Sequence, residues 1–224
     1  MDEEIHVIEK NDTWKLTNLP DNNKAIGVKW IYKMKKNAKG EVQRYKARLV
    51  AKGYKQREGI DYGEVFAPVA QLETIRLMIS LAAQHRWKIY QLDVKSAFLN
   101  GFLEEEIYIE QLFGYVEIKN EGKVYKLKKA LYGLKQALRA WNTRIDRYFQ
   151  ENGFEKCPYE HTIYVKKEDD GSTLFACLYV DDLIFANNNP AMFEDFKKSM
   201  VHEFKMTDIG LMTHFLCLKV MQKE

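Results

Sequence analysis

The chain has 224 residues, 46% of them apolar, 13% aromatic and 30% charged, which excludes a disordered chain and gives length for one large domain or two small subdomains sharing a core. No run of eighteen apolar residues exists and the amino terminus, Met1-Asp2-Glu3-Glu4, is acidic, so neither a membrane span nor a secretory leader is expected. Cys157, Cys177 and Cys217 make neither a disulfide framework nor a zinc spacing, and the chain reads as intracellular, with cytoplasm and nucleus unresolved.

The net charge of +3 hides an uneven distribution. Between Lys24 and Arg57 stand twelve Lys/Arg and one acid, Glu41, a balance of +11; the rest of the chain carries −8. A basic lobe on an acidic remainder is the pattern of a protein that grips a polyanion with one part. On charge alone, a solvated lysine-rich surface hairpin accounts for it equally well.

In chain order, Val28 to Lys35 mostly alternates apolar and basic residues, Asn37-Ala38-Lys39-Gly40 supplies a turn, and Tyr45 to Leu49 alternates again, so a β-hairpin is predicted. A period of two places Lys29, Lys33 and Lys35 on one face of the first strand, and Lys46 and Arg48 on one face of the second. Helical spacing follows over Leu72–Arg86, then a short strand, Ile89–Val94, which carries Asp93 near its end. Arg139–Asn152 is helical. Thr162–Lys166 and Thr173–Val180 read as strands, the second turning at Asp181-Asp182 and returning as Leu183-Ile184-Phe185. Asn189 caps a helix opened by Pro190, with Phe193, Phe196, Met200 and Phe204 inward, and Thr213–Met221 is the predicted closing strand. From Ile89 the order strand, helix, strand, strand, helix, strand predicts an α+β fold: a ferredoxin-like split βαβ antiparallel sheet with helices on one face, interrupted by a long excursion at about 100–138 and preceded by the basic hairpin lobe.

Asp93 and the pair Asp181-Asp182 are the informative constellation. Adjacent aspartates at the tip of an apolar hairpin repel one another, although an isolated Asp-Asp is most often simply a turn. The neighbouring strand of the inferred sheet brings Asp93 to the same end. Three carboxylates without His or Cys form a hard-oxygen site for Mg²⁺ or Mn²⁺, and two such ions about 3.5–4 Å apart suit in-line nucleotidyl transfer. A second basic run, Lys123, Lys126, Lys128, Lys129, Lys135 and Arg139, flanks the turn Tyr132-Gly133-Leu134 and fits either a template or primer track or an exposed amphipathic segment. Glu104-Glu105-Glu106 and the five histidines carry no assigned chemistry.

These residues sit within blocks that resemble the reverse transcriptase domain of copia-type LTR retrotransposon polyproteins across essentially the whole chain. The blocks include Asn11-Asp12-Thr13-Trp14, Arg44-Tyr45-Lys46-Ala47-Arg48-Leu49-Val50-Ala51-Lys52-Gly53, Gln91-Leu92-Asp93-Val94-Lys95-Ser96-Ala97-Phe98-Leu99-Asn100-Gly101, Leu131-Tyr132-Gly133-Leu134-Lys135-Gln136 and Tyr179-Val180-Asp181-Asp182. The resemblance implies a fingers-and-palm polymerase over 1–224, with fingers at 24–70 and palm at 71–224. It implies catalysis by Asp93, Asp181 and Asp182 as ligands of two Mg²⁺ (or Mn²⁺) ions, Asp93 and Asp181 being the expected direct ligands of both. Lys46, Arg48, Phe98 and Tyr132 are expected to hold the incoming deoxynucleoside triphosphate, Phe98 either excluding a 2′-hydroxyl or serving as an ordinary core aromatic. Lys29, Lys33, Lys35, Lys52, Lys135, Arg139 and Tyr179 are expected to meet the RNA or DNA template and its primer. Other parts of a Pol polyprotein are expected partners, and a membrane is not.

The family's prolines are missing at Gln111-Leu112-Phe113-Gly114 and Gln136-Ala137-Leu138-Arg139, which should free loops, and Cys217 stands where the family has glycine. Thumb, RNase H and integrase are expected to lie outside this chain. A truncated, catalytically silent nucleic-acid-binding remnant is the alternative, with a template-independent cyclase a third reading.

Overall fold

The computed structural model describes residues 1–224 apart from Ala38, Glu117, Cys217, Lys223 and Glu224, and apart from the side chains of Lys36 and Ile118. The glycine-to-cysteine change expected to matter at Cys217 therefore lies outside the described residues. The chain divides into two compact units, one of Met1–Phe66 with Phe98–Arg144, the other of Ala67–Ala97 with Ile145–Glu224.

The first unit opens on a helix that the sequence reading left out, α1 (Asp2–Lys10). Its first turn carries Asp2, Glu3 and Glu4 and its last Lys10, the charge order that complements the helix dipole. Ile8, fully buried, ties it to a core built from Trp14, Ile26, Leu49, Ala51, Leu99, Ile109 and Leu131. Strands β1 (Trp14–Thr17), β5 (Tyr108–Glu110) and β6 (Val124–Leu127) form an antiparallel sheet in the order β1-β6-β5, and Trp14 stacks on Tyr125 across it at 4.3 Å.

The predicted hairpin is present as β2 (Val28–Lys36) and β3 (Val42–Ala51), running antiparallel from Val28↔Ala51 to Lys35↔Arg44. Its register puts the two basic stripes on the same face, with Lys33 directly opposite Lys46, Lys35 opposite Arg44 and Ile31 opposite Arg48. Like charges directly across a ladder destabilise it by roughly 0.2–1 kcal/mol per pair. The hairpin thus carries a standing cost that a polyanion would relieve.

The second unit holds α2 (Leu72–His85), β4 (Ile89–Val94), β7 (Glu155–Lys156), β8 (Ile163–Lys167), β9 (Thr173–Tyr179), β10 (Asp182–Asn187), α4 (Pro190–Phe204), β11 (Met206–Leu211), β12 (His214–Phe215) and β13 (Leu218–Lys219). Helix α3 (Ala137–Glu151) begins in the first unit and ends in the second. Six strands form one antiparallel sheet in the order β11-β4-β10-β9-β8-β7. Counted along the chain, β4, β9, β10 and β11 lie fourth-first-third-second, the order of a split βαβ sheet. Asn189 caps α4 as predicted, accepting hydrogen bonds from the Ala191 and Met192 amides, with Pro190 in the first turn.

Two expectations are corrected. Helices cover both faces of the sheet, not one: Ile75, Met78 and Ala82 of α2 pack with Ile89, Ile184 and Ala186, while Phe149 of α3 and Phe196 of α4 meet Phe185 and Tyr164 from the opposite side. The reason lies in β10, where Leu183 to Ala186 are all buried, so both of its faces need a cover. The closing strand is β11, not Thr213–Met221. Lys205 takes a left-handed conformation (φ 52°) that returns the chain at once along β4, and the later segment folds into the small β12–β13 hairpin. Among the described residues no helix is long and apolar enough to cross a membrane.

Candidate active site

Strand register brings the sequence-predicted carboxylates together at one end of the second unit's sheet. Asp93 on β4 and Asp182 on β10 are direct cross-strand partners, so their side chains leave the same face. Asp181 precedes Asp182 in the turn, where its carbonyl accepts a hydrogen bond from the Val94 amide at 2.8 Å. Burial pushes the Asp182 carboxyl above its ordinary range; a hydrogen bond from Gln91 opposes this, and the charges of Asp181 and Asp93 add to it. The Gln91 amide nitrogen donates to Asp182 Oδ1 at 2.9 Å. Gln91 was not singled out in the sequence, though its signal was present: it stands two residues before Asp93, on the same face of the strand.

Tyr179 pairs with Asp182 across a two-residue loop, Val180-Asp181, and its ring lies 6.2 Å from that of Phe215. Val180 has φ 54°, a left-handed conformation that a β-branched side chain resists and that hairpins of this length normally give to glycine, asparagine or aspartate. Such strain costs of order 1–3 kcal/mol. Val180→Gly is expected to raise the unfolding free energy by about 1 kcal/mol in urea titrations; a lower midpoint would show that the valine is held there by packing, not against strain.

The three carboxylates have the donor chemistry of a site for a hard divalent cation. All three donors are hard oxygens, and Asp182 carries a desolvated charge beside two like charges, an environment that a divalent cation would relieve. Among the described residues, however, no three His, Cys, Asp or Glu side chains are placed to enclose an ion as they stand. The register pairs Asp93 with Asp182, and the three side chains do not form a closed ligand set.

The first unit assembles a second group. The Arg48 guanidinium lies 4.5 Å over the Tyr132 ring, and Phe98 meets that ring edge-on at 5.0 Å. Phe98 is also half-buried against the unit's core. Lys46 lies two residues before Arg48, its ammonium pushed to lower pKa by burial and by Arg48 and Lys35. Lys33 and Lys35 are exposed, and Lys29 sits 5.8 Å from the Tyr54 ring. Lys52 donates its backbone amide to Gly27. Lys135 donates to the Tyr62 hydroxyl at 3.0 Å, and Arg139 faces Glu64 at 3.9 Å.

Within the second basic run, Lys126 binds Glu106 and Lys128 binds Asp12. Those two cations are engaged inside the unit, which the charge count could not show. At the positions of the missing prolines, Leu138 lies in the first turn of α3, and the Gln111 side-chain amide donates to the carbonyls of Asn120 and Lys123.

A family model described as reverse transcriptase (RNA-dependent DNA polymerase) matches residues 11–224. The chain is 38% identical over its whole length to the retrovirus-related Pol polyprotein from transposon TNT 1-94 of Nicotiana tabacum, of which it covers 17%. It is 38% identical over 96% of its length to the Pol polyprotein from transposon RE1 of Arabidopsis thaliana, covering 15% of that protein. It is also 35% identical, over 59% of its length, to a putative transposon Ty5-1 protein of Saccharomyces cerevisiae. The chain therefore spans less than a fifth of the two plant polyproteins.

Proposed function

We propose that this chain, which belongs to the reverse transcriptase (RNA-dependent DNA polymerase) family, adds deoxynucleotides to the 3′-hydroxyl of a primer paired to an RNA or DNA template. The observation that carries this reading is the direct pairing of Asp93 with Asp182 on one face of the sheet, beside the Asp181 turn. In this reading the β4–β9–β10–β11 sheet is a palm and the β2–β3 hairpin serves as fingers.

Asp93, Asp181 and Asp182 are the residues that would hold divalent cations, two Mg²⁺ or Mn²⁺, whose chemistry when bound is to acidify the primer hydroxyl and neutralise the leaving pyrophosphate. Gln91 holds one lobe of Asp182 and so limits how that carboxylate can turn. Lys46 and Arg48 grip the triphosphate, and stacking on Tyr132 fixes the plane of the Arg48 fork. Phe98 stands against the sugar and disfavours a 2′-hydroxyl. Lys29, Lys33, Lys35, Lys52, Lys135, Arg139 and Tyr179 contact template and primer, and their grip weakens steeply as salt rises. In the reaction the primer 3′-oxygen bonds to the α-phosphorus, and the bond to pyrophosphate breaks.

The test is primer extension on an RNA template with magnesium. The parent chain is expected to extend, and Asp181→Ala is expected to lower the rate by more than about a hundredfold. Extension unaffected by Asp181→Ala would sink the catalytic assignment. Salt-sensitive binding with no incorporation by the parent would identify a chain that only grips nucleic acid.

A further inference from the structure

The β2–β3 hairpin is a ribbon that pairs with no other strand among the described residues, so it has two faces of its own. One carries Lys29, Lys33 and Lys35. The other places Trp30 opposite Leu49, Tyr32 opposite Ala47 and Met34 opposite Tyr45. Near the base of the ribbon this second face belongs to the core: Leu49 is fully buried and Trp30 packs against the same cluster. Toward the tip it is bare, with Tyr32 67%, Met34 48% and Tyr45 77% exposed. The Tyr32 hydroxyl donates to the Met1 thioether sulfur at 3.3 Å, which holds one edge of that ring.

We infer that this outer face, formed by Tyr32, Met34 and Tyr45, is a stacking platform for the unpaired bases of a single-stranded nucleic acid, the template ahead of the primer. The inference deepens the polymerase reading and rests on it for the identity of the strand. Two phenol rings keep their hydroxyls wet while offering flat apolar surface, and every base has a π-face to lay on such a ring. Lys33 and Lys35, both exposed, flank Met34 in the chain, so ring and cation alternate along β2. The segment from Lys24 to Arg57 holds twelve Lys/Arg against one acid, a field that draws a polyanion and not an apolar protein surface. A single strand supplies what the two faces lack: phosphates for the lysines and bare base faces for the tyrosines.

A duplex cannot use this platform, because each of its bases is already covered above and below by its neighbours. Removing a ring therefore costs single-strand affinity alone, and leaves the salt dependence as it was because no phosphate contact is lost. Removing a lysine acts differently, weakening single strand and duplex together and lowering the salt slope.

In the test, the full chain is titrated into a labelled oligothymidylate and into a mixed-sequence duplex of equal length, with binding read by fluorescence anisotropy at several salt concentrations. Tyr32→Ala and Tyr45→Ala are each expected to weaken single-strand binding about tenfold and to leave duplex binding within about twofold of the parent. Tyr45→Phe keeps the ring and is expected to bind like the parent, whereas Lys33→Ala weakens both probes and reduces the salt slope by about one. Both tyrosines are exposed, so the variants should melt within about 2 °C of the parent. Equal losses on the two probes, or no loss on the single strand, would overturn the platform. So would a parent that dimerises through this face, shown by Tyr45→Ala sedimenting as a monomer with its single-strand affinity intact. In either case, primer extension by the parent on an RNA template would leave the polymerase reading standing. A parent that extends no primer and binds neither probe would overturn both.

Discussion

Gly53→Ala is expected to destabilise the first unit by about 3 kcal/mol or more, lowering the denaturant midpoint without altering residues that touch substrate. A Cβ at position 53 would stand 2.0 Å from the carbonyl oxygen of Gly133, a backbone atom with no rotamer to retreat into. The reverse contact is as close: a Cβ on Gly133 would lie 2.3 Å from the Ala51 carbonyl oxygen, and Gly133 itself has φ 89°. Two backbones cross here at a separation that only glycine permits, and the Ala51 amide donates to the Tyr132 carbonyl at 2.7 Å across the crossing. Forcing them apart breaks that bond and strains the neighbouring Gln56–Gln136 hydrogen bond, in which both amides are buried. Because the two glycines share one contact, Gly53→Ala and Gly133→Ala together should cost less than their sum. A Gly53→Ala protein as stable as the parent would mean that the crossing is looser than described.

Asp182→Asn is expected to do the opposite, raising stability while removing activity. Burial, Asp181 and Asp93 raise the folded-state pKa of Asp182 above its ordinary 3.8. A carboxyl raised in this way penalises the folded state once ionised. The penalty is absent below the ordinary carboxylate range and grows as pH rises through the raised value. Asparagine keeps the oxygen that accepts from Gln91 and carries no charge. At pH 7 the variant should be more stable than the parent, and the difference should close as pH falls toward 4. A gap that widens on acidification would contradict the assigned cause. Added magnesium should stabilise the parent more than the variant.

How far the sequence disclosed this arrangement depended on the range of the interaction. Period-two alternation was enough for β2 and β3, an apolar run broken at Asp181-Asp182 marked β9 and β10, and the inferred sheet order gave the shared end of Asp93 and Asp182. Asn189 and Pro190 marked the start of α4 through local backbone chemistry. Helix α1 escaped notice because nine residues with inward Ile5 and Ile8 give a short periodic signal. Strand β11 escaped because Asp208 and Gly210 interrupt it, and its pairing with β4 has an irregularity at that point. The basic hairpin was evident, but the facing of Lys33 on Lys46 needed the register.

The stability and activity of Asp182→Asn together bear on the central claim. The measurement is single-turnover primer extension on an RNA template of defined sequence, with magnesium and one complementary deoxynucleotide, using the parent and a folded Asp182→Asn chain side by side. The parent is expected to add the complementary nucleotide and the more stable variant to add none within the same time. Equal extension by the two proteins would contradict the assignment of the Asp93–Asp182 pair as the polymerase centre.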